Sequence, residues 1–289
     1  MTLEEDEGMF LESEGVFVPR TPIEHRGDDY EEFGHDILIK MQRNHFWYWG
    51  RFRFLLNVLR RELPRIGRPS EKLSVVDFGG GCGGWIEYLN NNKYIRFGEL
   101  ALADSSLRAL TLADPVVGAF ANRYQVDILN LRWKERWDVA FMLDVLEHIP
   151  QDEEALRQIH HSLRPGGLLF VAVPALRAFW TYYDDLVHHR RRYSRRDFSD
   201  LADATGFRLI TSRYFMFFLG SLLWFTRMRP PNLAQMSEAD IEHHLDRIHR
   251  IPIAPINLLL RAVFSLETPL GVWVPFPWGT SVLGVFQKT

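Results

Sequence analysis

The stretch Val75-Val76-Asp77-Phe78-Gly79-Gly80-Gly81-Cys82-Gly83-Gly84 constrains the fold more than any other part of the chain. Paired valines suit a pleated, buried strand. Asp77 marks where burial ends, and the glycines that follow let the backbone turn tightly and approach a ligand with no Cβ in the way. An apolar strand that runs into a glycine-crowded turn is the entrance of a nucleotide-type site at the carboxyl end of a first parallel strand.

The pattern downstream repeats that opening. Strands are predicted at Leu73 to Asp77, Leu100 to Asp104, Tyr124 to Asp127, Trp137 to Leu143 and Leu168 to Val173. Helices alternate with them: one through Tyr88, one over Ser105 to Ala113, and one over Glu153 to Leu163 closed by Pro165, Gly166 and Gly167. Such alternation implies an α/β fold with a doubly wound parallel sheet. Arg196 to Thr205 reads as a further helix stopped by Gly206, Phe207 to Arg213 as another strand, and Ser281 to Gln287 as the last one. Apolar residues at helical spacing from about Ile37 to Leu63 place helices before the first strand. Three units follow: an acidic arm over 1–36, loose or lid-like, with twelve carboxylates against Arg20 and Arg26; a helical cap over 37–70; and a main domain over 71–289 with a helical insertion at about 214–266.

Composition removes several classes. A net charge of -3 gives no general pull toward nucleic acid. One cysteine, Cys82, excludes an internal disulfide and fits a reducing compartment, and the acidic start lacks the features of a signal peptide, so a cytoplasmic location is expected. Tyr214 to Thr226 has 13 uncharged residues, short of the ~20 a spanning helix needs. Thr268 to Phe286 is longer but carries Pro269, Pro275 and Pro277, which break helices.

The glycine turn alone fits two ligands, because Gly79, Gly81 and Gly84 also satisfy dinucleotide spacing. Asp77 argues against a pyrophosphate beside it and in favour of an ammonium or a sulfonium. Asp104, 27 residues further on, can accept both hydroxyls of an adenosine ribose, or cap the helix after it. Asp127 followed by Ile128 can meet an adenine amino group and ring, or be an exposed turn.

Taken in order, Asp77-Phe-Gly-Gly-Gly-Cys-Gly, Ala103-Asp104-Ser105, Val126-Asp127-Ile128, Asp138 through Asp144-Val-Leu-Glu-His-Ile-Pro150, and Leu163-Arg-Pro-Gly-Gly167 resemble the successive motifs of class I S-adenosylmethionine-dependent methyltransferases, in particular a type 11-like bacterial group acting on small molecules. The resemblance covers roughly Leu73 to Phe286 and implies a Rossmann-like seven-stranded sheet whose last strand is antiparallel. It also implies S-adenosylmethionine as cofactor. Asp77 with the Gly79, Gly81 and Gly83 backbone would then hold the methionine end, Asp104 and Ser105 the ribose, and Asp127 with Ile128 the adenine. Asp144 and Val145 would line the same pocket. The run His45-Phe-Trp-Tyr-Trp49 followed by Arg51 and Arg53 resembles a segment that covers the cofactor and gives an arginine, here Arg51, to its carboxylate. An amphipathic helix with solvated arginines is the alternative.

Transfer from a sulfonium needs alignment of donor and nucleophile, and a base only when the acceptor must lose a proton. Candidate catalytic groups are His148, past the fourth strand, and His189 and Tyr193, past the fifth. The run Asp184 to Tyr193 resembles an Asp, His, Arg, Arg, Tyr pattern of small-molecule methyltransferases, with His188 where glycine is common. Arg191 and Arg192 read as a substrate-binding anion site, or as a basic loop paired with Asp184 and Asp185. Glu147 is expected to fix its loop. His243, His244 and His249 lack metal-ligand spacing and read as a solvated face; no metal is expected.

Leu143-Asp144-Val145-Leu146 is not a nucleobase-amine methylation motif, and no basic, aromatic stripe for RNA is present, so nucleic acid is not an expected partner. The expected reaction is O-methylation of a small-molecule or lipid-linked acceptor with an anionic group. Tyr214 to Thr226, with Trp224, allows peripheral contact with a membrane or a homodimer face. The alternatives are an NAD-dependent oxidoreductase and a non-catalytic binding module on the same fold.

Overall fold

The computed structural model describes residues 9–23, 34–227 and 236–289. In chain order the elements are β1 (Phe10–Ser13), β2 (Val16–Pro19), α1 (Gly34–Asn44), α2 (Phe46–Glu62), β3 (Ser74–Phe78), α3 (Gly84–Asn91), β4 (Glu99–Asp104), α4 (Leu107–Leu112), α5 (Asp114–Val117), β5 (Asn122–Gln125) and β6 (Trp137–Leu143). There follow α6 (Asp152–Ser162), β7 (Leu163–Pro174), α7 (Tyr182–Leu186), α8 (Arg195–Thr205), β8 (Phe207–Phe215), α9 (Phe217–Arg227), α10 (Glu238–Ile248), α11 (Ala254–Trp273) and β9 (Ser281–Lys288).

The strands form one sheet in the order β1-β2-β5-β4-β3-β6-β7-β9-β8. From β5 to β7 neighbours are parallel, and β9 inserts antiparallel between β7 and β8. The seven expected strands and the antiparallel last one are therefore present, but the sheet has nine strands. The extra pair comes from the acidic arm. Within it, residues 10–13 and 16–19 fold as a hairpin, and β2 extends the sheet by pairing parallel with β5, Phe17 opposite Tyr124. Phe17 stacks on Tyr124, and Phe10 meets Tyr124 and Trp133. Burying those rings offsets the entropy that its acidic composition leaves uncompensated. The rest of the arm, 1–8 and 24–33, lies outside the described residues.

A sheet covered on both faces is built of largely apolar strands, and the central strands are so apart from a few positions such as Asp77 in β3 and Asp138 in β6. Val75 in β3, Val139 and Phe141 in β6, and Leu168 and Phe170 in β7 face one core, shared with Leu55 and Leu59 of α2 and Trp85 of α3. Val76, Phe78, Ala140, Met142, Leu169 and Val171 face the other, shared with Leu156 of α6 and Phe198 of α8. The period of two sends alternate residues to opposite faces, and because β3 to β6 run parallel the acids at their ends emerge at one carboxyl edge.

The cap and the insertion pack on each other at that edge. At Gly50 an added Cβ would lie 2.3 Å from the Phe264 ring, so α2 and α11 touch backbone to ring there. Asn257 accepts from Phe46 N and donates to Asn44 O, joining α11 to the α1–α2 corner. Glu267, buried in α11, accepts from the Phe217 and Phe218 amides and satisfies the start of α9. Pro269 does not break the chain's last helix as expected. It lies inside α11, which continues to Trp273 because its buried side, including Phe264 and Val272, is held by the first core. Among the described residues no helix is long and apolar enough to cross a membrane.

Candidate functional site

A cavity of ≈ 670 Å³ opens at the carboxyl ends of β3 to β7, roofed by α1, α2 and the insertion. Its first half is the glycine turn. Gly79 and Gly81 have φ of +67° and +55°, a region other residues adopt only with strain, and a Cβ on Gly80 would lie 2.5 Å from the Asp77 carboxylate. Asp104 holds the turn closed: Oδ2 accepts from Gly81 N at 2.9 Å and Oδ1 from Ser106 N at 2.9 Å. Ser106 rather than Asp104 is the N-cap of α4. Asp104, Ser105, Asp127 and Ile128 all line the cavity, and Asp127 also accepts from Leu129 N to cap a short 3-10 turn.

Asp77 is buried, its Oδ1 has no hydrogen-bond partner, and burial pushes its pKa well above the ordinary carboxylate range, against the nearby Arg51 charge. Arg51 comes down from α2. It donates to Asp144, packs 4.6 Å from the Trp47 ring, and leaves Nε and Nη2 buried without acceptors. Asp144 takes a φ of +58°, which aspartate tolerates, and its N–H donates to Ala172 O at 2.8 Å. One wall of the cavity thus offers an unmet carboxylate oxygen and two unmet guanidinium donors. An amino-acid end, with its ammonium and carboxylate, supplies both partners.

The other half lies past β6 and β7. The turn Leu146–His148 and the loop after α7 are tied together by the Arg190 amide donating to Glu147 O and by Arg190 Nε donating to His148 O. That brings His148 and His189 edge to face, ring centres 4.9 Å apart. His148 is 9% exposed, its Nδ1 has no partner, and burial with the neighbouring cations lowers its pKa to about 3, so it is a neutral imidazole at pH 7. His189 Nδ1 lies 2.9 Å from Asp184 Oδ1. Asp184 is fully buried; burial by itself would raise its pKa, but hydrogen bonds from His189, Arg192 and the Thr181 amide hold it well below the usual range. Glu147 faces His189 from the other side, Oε1 to Nε2 3.9 Å.

Several of the site residues read from sequence are displaced from these roles. Tyr193 is not at the cavity: its hydroxyl donates to Asp152 Oδ2 at 2.9 Å, and burial followed by the Asp152 charge raises its pKa, so it braces the loop and cannot act as a base. Arg191 also turns away, to Asp152 and to Pro150 O. Arg192 reaches the cavity wall but is bonded through Nε and Nη2 to both oxygens of Asp184, so its charge is neutralised internally. Gly83 caps α3 with a φ of +79° and packs toward Val117 rather than into the cavity. The insertion histidines divide. His243 is exposed, but His244 bonds Tyr182 and His249 bonds Tyr183 at 2.7 Å, which fastens α10 to α7, and His249 lines the cavity.

Glu147 and Asp184 are the site residues to which sequence reasoning gives only structural parts, fixing a loop and pairing with a basic run. The signal for Asp184 is its place at the head of the histidine and arginine run; Glu147 carries none, since a glutamate after a strand is ordinary at a loop.

Residues 48–212, over half of the chain, match the family described as Methyltransferase domain. No curated protein matches the sequence. Among solved structures, phosphoethanolamine N-methyltransferase 2 of Haemonchus contortus, in complex with S-adenosyl-L-methionine, aligns with a TM-score of 0.56 at 16% identity, over 94% of this chain and 61% of that one. A chain of the complex between the Haloferax volcanii Trm112 methyltransferase activator and a protein assigned as a methyltransferase aligns at 0.54 and 15% identity, over 90% and 97%. A Bacillus halodurans protein with the same assignment aligns at 0.52 and 16%, over 80% and 98%. At such identities the likeness is one of fold.

Proposed function

The chain belongs to the Methyltransferase domain family of class I, S-adenosylmethionine-dependent enzymes, and we propose that it methylates an oxygen of an amphipathic, lipid-like acceptor that carries an anionic group. The observation that carries this reading is one continuous cavity, which joins the unmet polar atoms of Asp77 and Arg51 to an apolar chamber walled by Phe179, Met216, Leu219, Trp224 and Leu260. Asp77 would take the ammonium and Arg51 the carboxylate of the methionine end, Asp104 and Ser105 the ribose, Asp127 and Ile128 the adenine. When bound, the cofactor supplies a methyl group on a sulfonium, already activated for displacement.

What remains for the protein is alignment, exclusion of water and removal of a proton. Asp184 orients His189 so that Nδ1 carries the hydrogen and Nε2 is the acceptor. The acceptor's hydroxyl proton is drawn off at the cluster of Glu147, His148 and His189. Because Arg191 and Arg192 are engaged elsewhere, the anionic group is assigned to Arg250, exposed on the cavity rim.

The outer face of α11 supports the acceptor's class. Leu260 lines the cavity, while Ile256, Leu259, Leu266, Leu270 and Trp273 stand exposed on the same helix, Leu266 by 70% and Trp273 by 73%. Arg61 lies 5.1 Å from the Trp273 ring. An apolar stripe edged by arginines and an indole suits the surface of an anionic bilayer. The test is transfer of labelled methyl from S-adenosylmethionine into a lipid extract, with calorimetry of cofactor binding beside it. Label in a lipid fraction, and a loss of ~1 to 3 kcal/mol in cofactor binding on Asp104→Ala, are expected. Tight NAD binding without S-adenosylmethionine binding overturns the reading.

A further inference from the structure

The Glu147 carboxylate is fully buried, and neither of its oxygens has a hydrogen-bond partner. In the adjoining residue, Nδ1 of His148 is buried and equally unmet. A buried polar atom without a partner in a well-formed site calls for a missing water, ligand or ion. The third member is His189, whose Nδ1 is taken by Asp184 and whose Nε2 points at Glu147 from 3.9 Å. That separation is too long for a hydrogen bond. It suits two ligands of one ion before they draw in. One donor atom from each of the three residues can be chosen so that all lie within 4.8 Å of one another, and all three residues line the cavity.

We propose that Glu147, His148 and His189 bind a divalent transition-metal ion at the acceptor end of the cavity.

The surroundings are those of a built metal site. A ligating histidine usually gives its other ring N–H to a carboxylate, which fixes its tautomer. Asp184 does this for His189 and is itself held by Arg192 and the Thr181 amide. The two segments are locked in register by the Arg190 to Glu147 backbone bond, so the three side chains converge without a lid having to close. The other carboxylates nearby are compensated: Asp144 by Arg51 and Asp184 by Arg192. Glu147 is left without such a cation, and with the two imidazoles it makes a donor set of two nitrogens and one oxygen. Such a set favours Mn²⁺, Fe²⁺, Co²⁺ or Zn²⁺ over Mg²⁺ or Ca²⁺, which take oxygen ligands. Three protein ligands leave coordination positions open toward the cavity, the mark of a site that engages a substrate rather than one that staples a fold.

The use of such an ion rests on the function proposed above; the site itself does not. An oxygen of the acceptor would fill an open position, the His189 lone pair would serve the ion instead of the proton, and the hydroxyl proton would leave to solvent as the oxygen is bound. No oxidant or reductant enters.

The test uses the full, tag-free chain, stripped with a chelator and titrated with Co²⁺ in the absence of any methyl donor. Binding of one equivalent, with the ligand-field absorption of a nitrogen- and oxygen-ligated site, is expected. Glu147→Gln and His189→Asn should each weaken it about 100-fold, and Asp184→Asn, which touches His189 but supplies no ligand atom, about 10-fold. His243→Asn, on the exposed side of α10, should leave the absorption unchanged. Absence of a stoichiometric Co²⁺ complex in the unsubstituted chain overturns the proposal whether or not the variants fold, as does a complex that Glu147→Gln and His189→Asn leave intact. Calorimetry of S-adenosylhomocysteine binding to Glu147→Gln separates the two readings: retained nucleoside binding with lost Co²⁺ binding is the expected pair. Cofactor binding without any metal site would overturn this inference and leave the methyltransferase reading standing.

Discussion

Each end of the cavity buries a carboxylate with an unmet oxygen, Asp77 at one and Glu147 at the other, yet the two are built in opposite ways. The Asp77 end is local. A strand, a turn and the last residue of the next strand supply its parts, and backbone amides do most of the binding within it. The Glu147 end is assembled across the chain: Tyr193 and Asp152, the pair that braces it, are 41 residues apart, and its loops meet only because two parallel strands lie side by side. A nucleotide needs a preformed cradle that any sequence of this pattern can make, whereas an acceptor needs side chains brought together from separate loops. Arg51 touches both designs, since its charge lowers the pKa of Asp77 and of Glu147 while it is bonded to Asp144.

The largest effect should come from breaking that link. Arg51→Met leaves Asp144 and Asp77 without their cation and takes the guanidinium off the Trp47 ring, so cofactor-product binding should weaken by about 2 to 4 kcal/mol in calorimetry. An unchanged dissociation constant would remove Arg51 from the site. Next in size is the roof over both ends. Gly50→Val drives a side chain into Phe264 and should reduce stability by about 1 to 3 kcal/mol in urea unfolding. A neutral outcome would mean that α2 and α11 separate easily.

A smaller effect, of opposite sign, tests whether the two carboxylates are held for function. Burial raises the pKa of Asp77 above its unfolded value, so its favourable share of stability is present only in acid and is lost as pH rises through the folded value. Asp77→Asn should therefore stabilise the ligand-free protein by about 1 kcal/mol at neutral pH, with the gain fading on acidification, and weaken cofactor binding. Glu147→Gln should raise the urea midpoint in the same way while sparing cofactor binding, which would distinguish the two ends in one pair of measurements. The smallest effect concerns His45, whose Nδ1 accepts from Trp47 N and caps α2. Burial, then the charges of His249 and Arg261, lower its pKa to about 4. A depressed histidine contributes stability above its unfolded pKa of ~6.5 and loses it as pH falls toward 4, where the cap would have to protonate. His45→Asn, which caps without titrating, should flatten that acid slope by up to about 1 kcal/mol in urea unfolding followed against pH.

The core strands were legible because burial on both faces leaves largely apolar runs, as in Trp137–Leu143, which only Asp138 interrupts. The hairpin at β1 and β2 was not. Its strands are four residues long in an acidic segment, and only the Tyr124 and Trp133 rings opposite explain their place. The helix through Pro269 was hidden for the same reason: local propensity forbids it and packing against α2 restores it. In the site, Asp77, Asp104 and Asp127 can be read from strand ends. Tyr193 and Arg191 cannot, because a residue type in a loop says nothing about which way it turns.

By itself the sequence determined the seven core strands and the glycine turn, since these follow from hydrophobic period and backbone freedom over a few neighbouring residues. Only the tertiary structure decided that Arg192 is neutralised by Asp184, that Tyr193 braces Asp152, and that Glu147, His148 and His189 stand together with donors unmet. Partnership between charged side chains depends on distances across the fold, and in a buried site it decides which groups are neutralised and which are left to act.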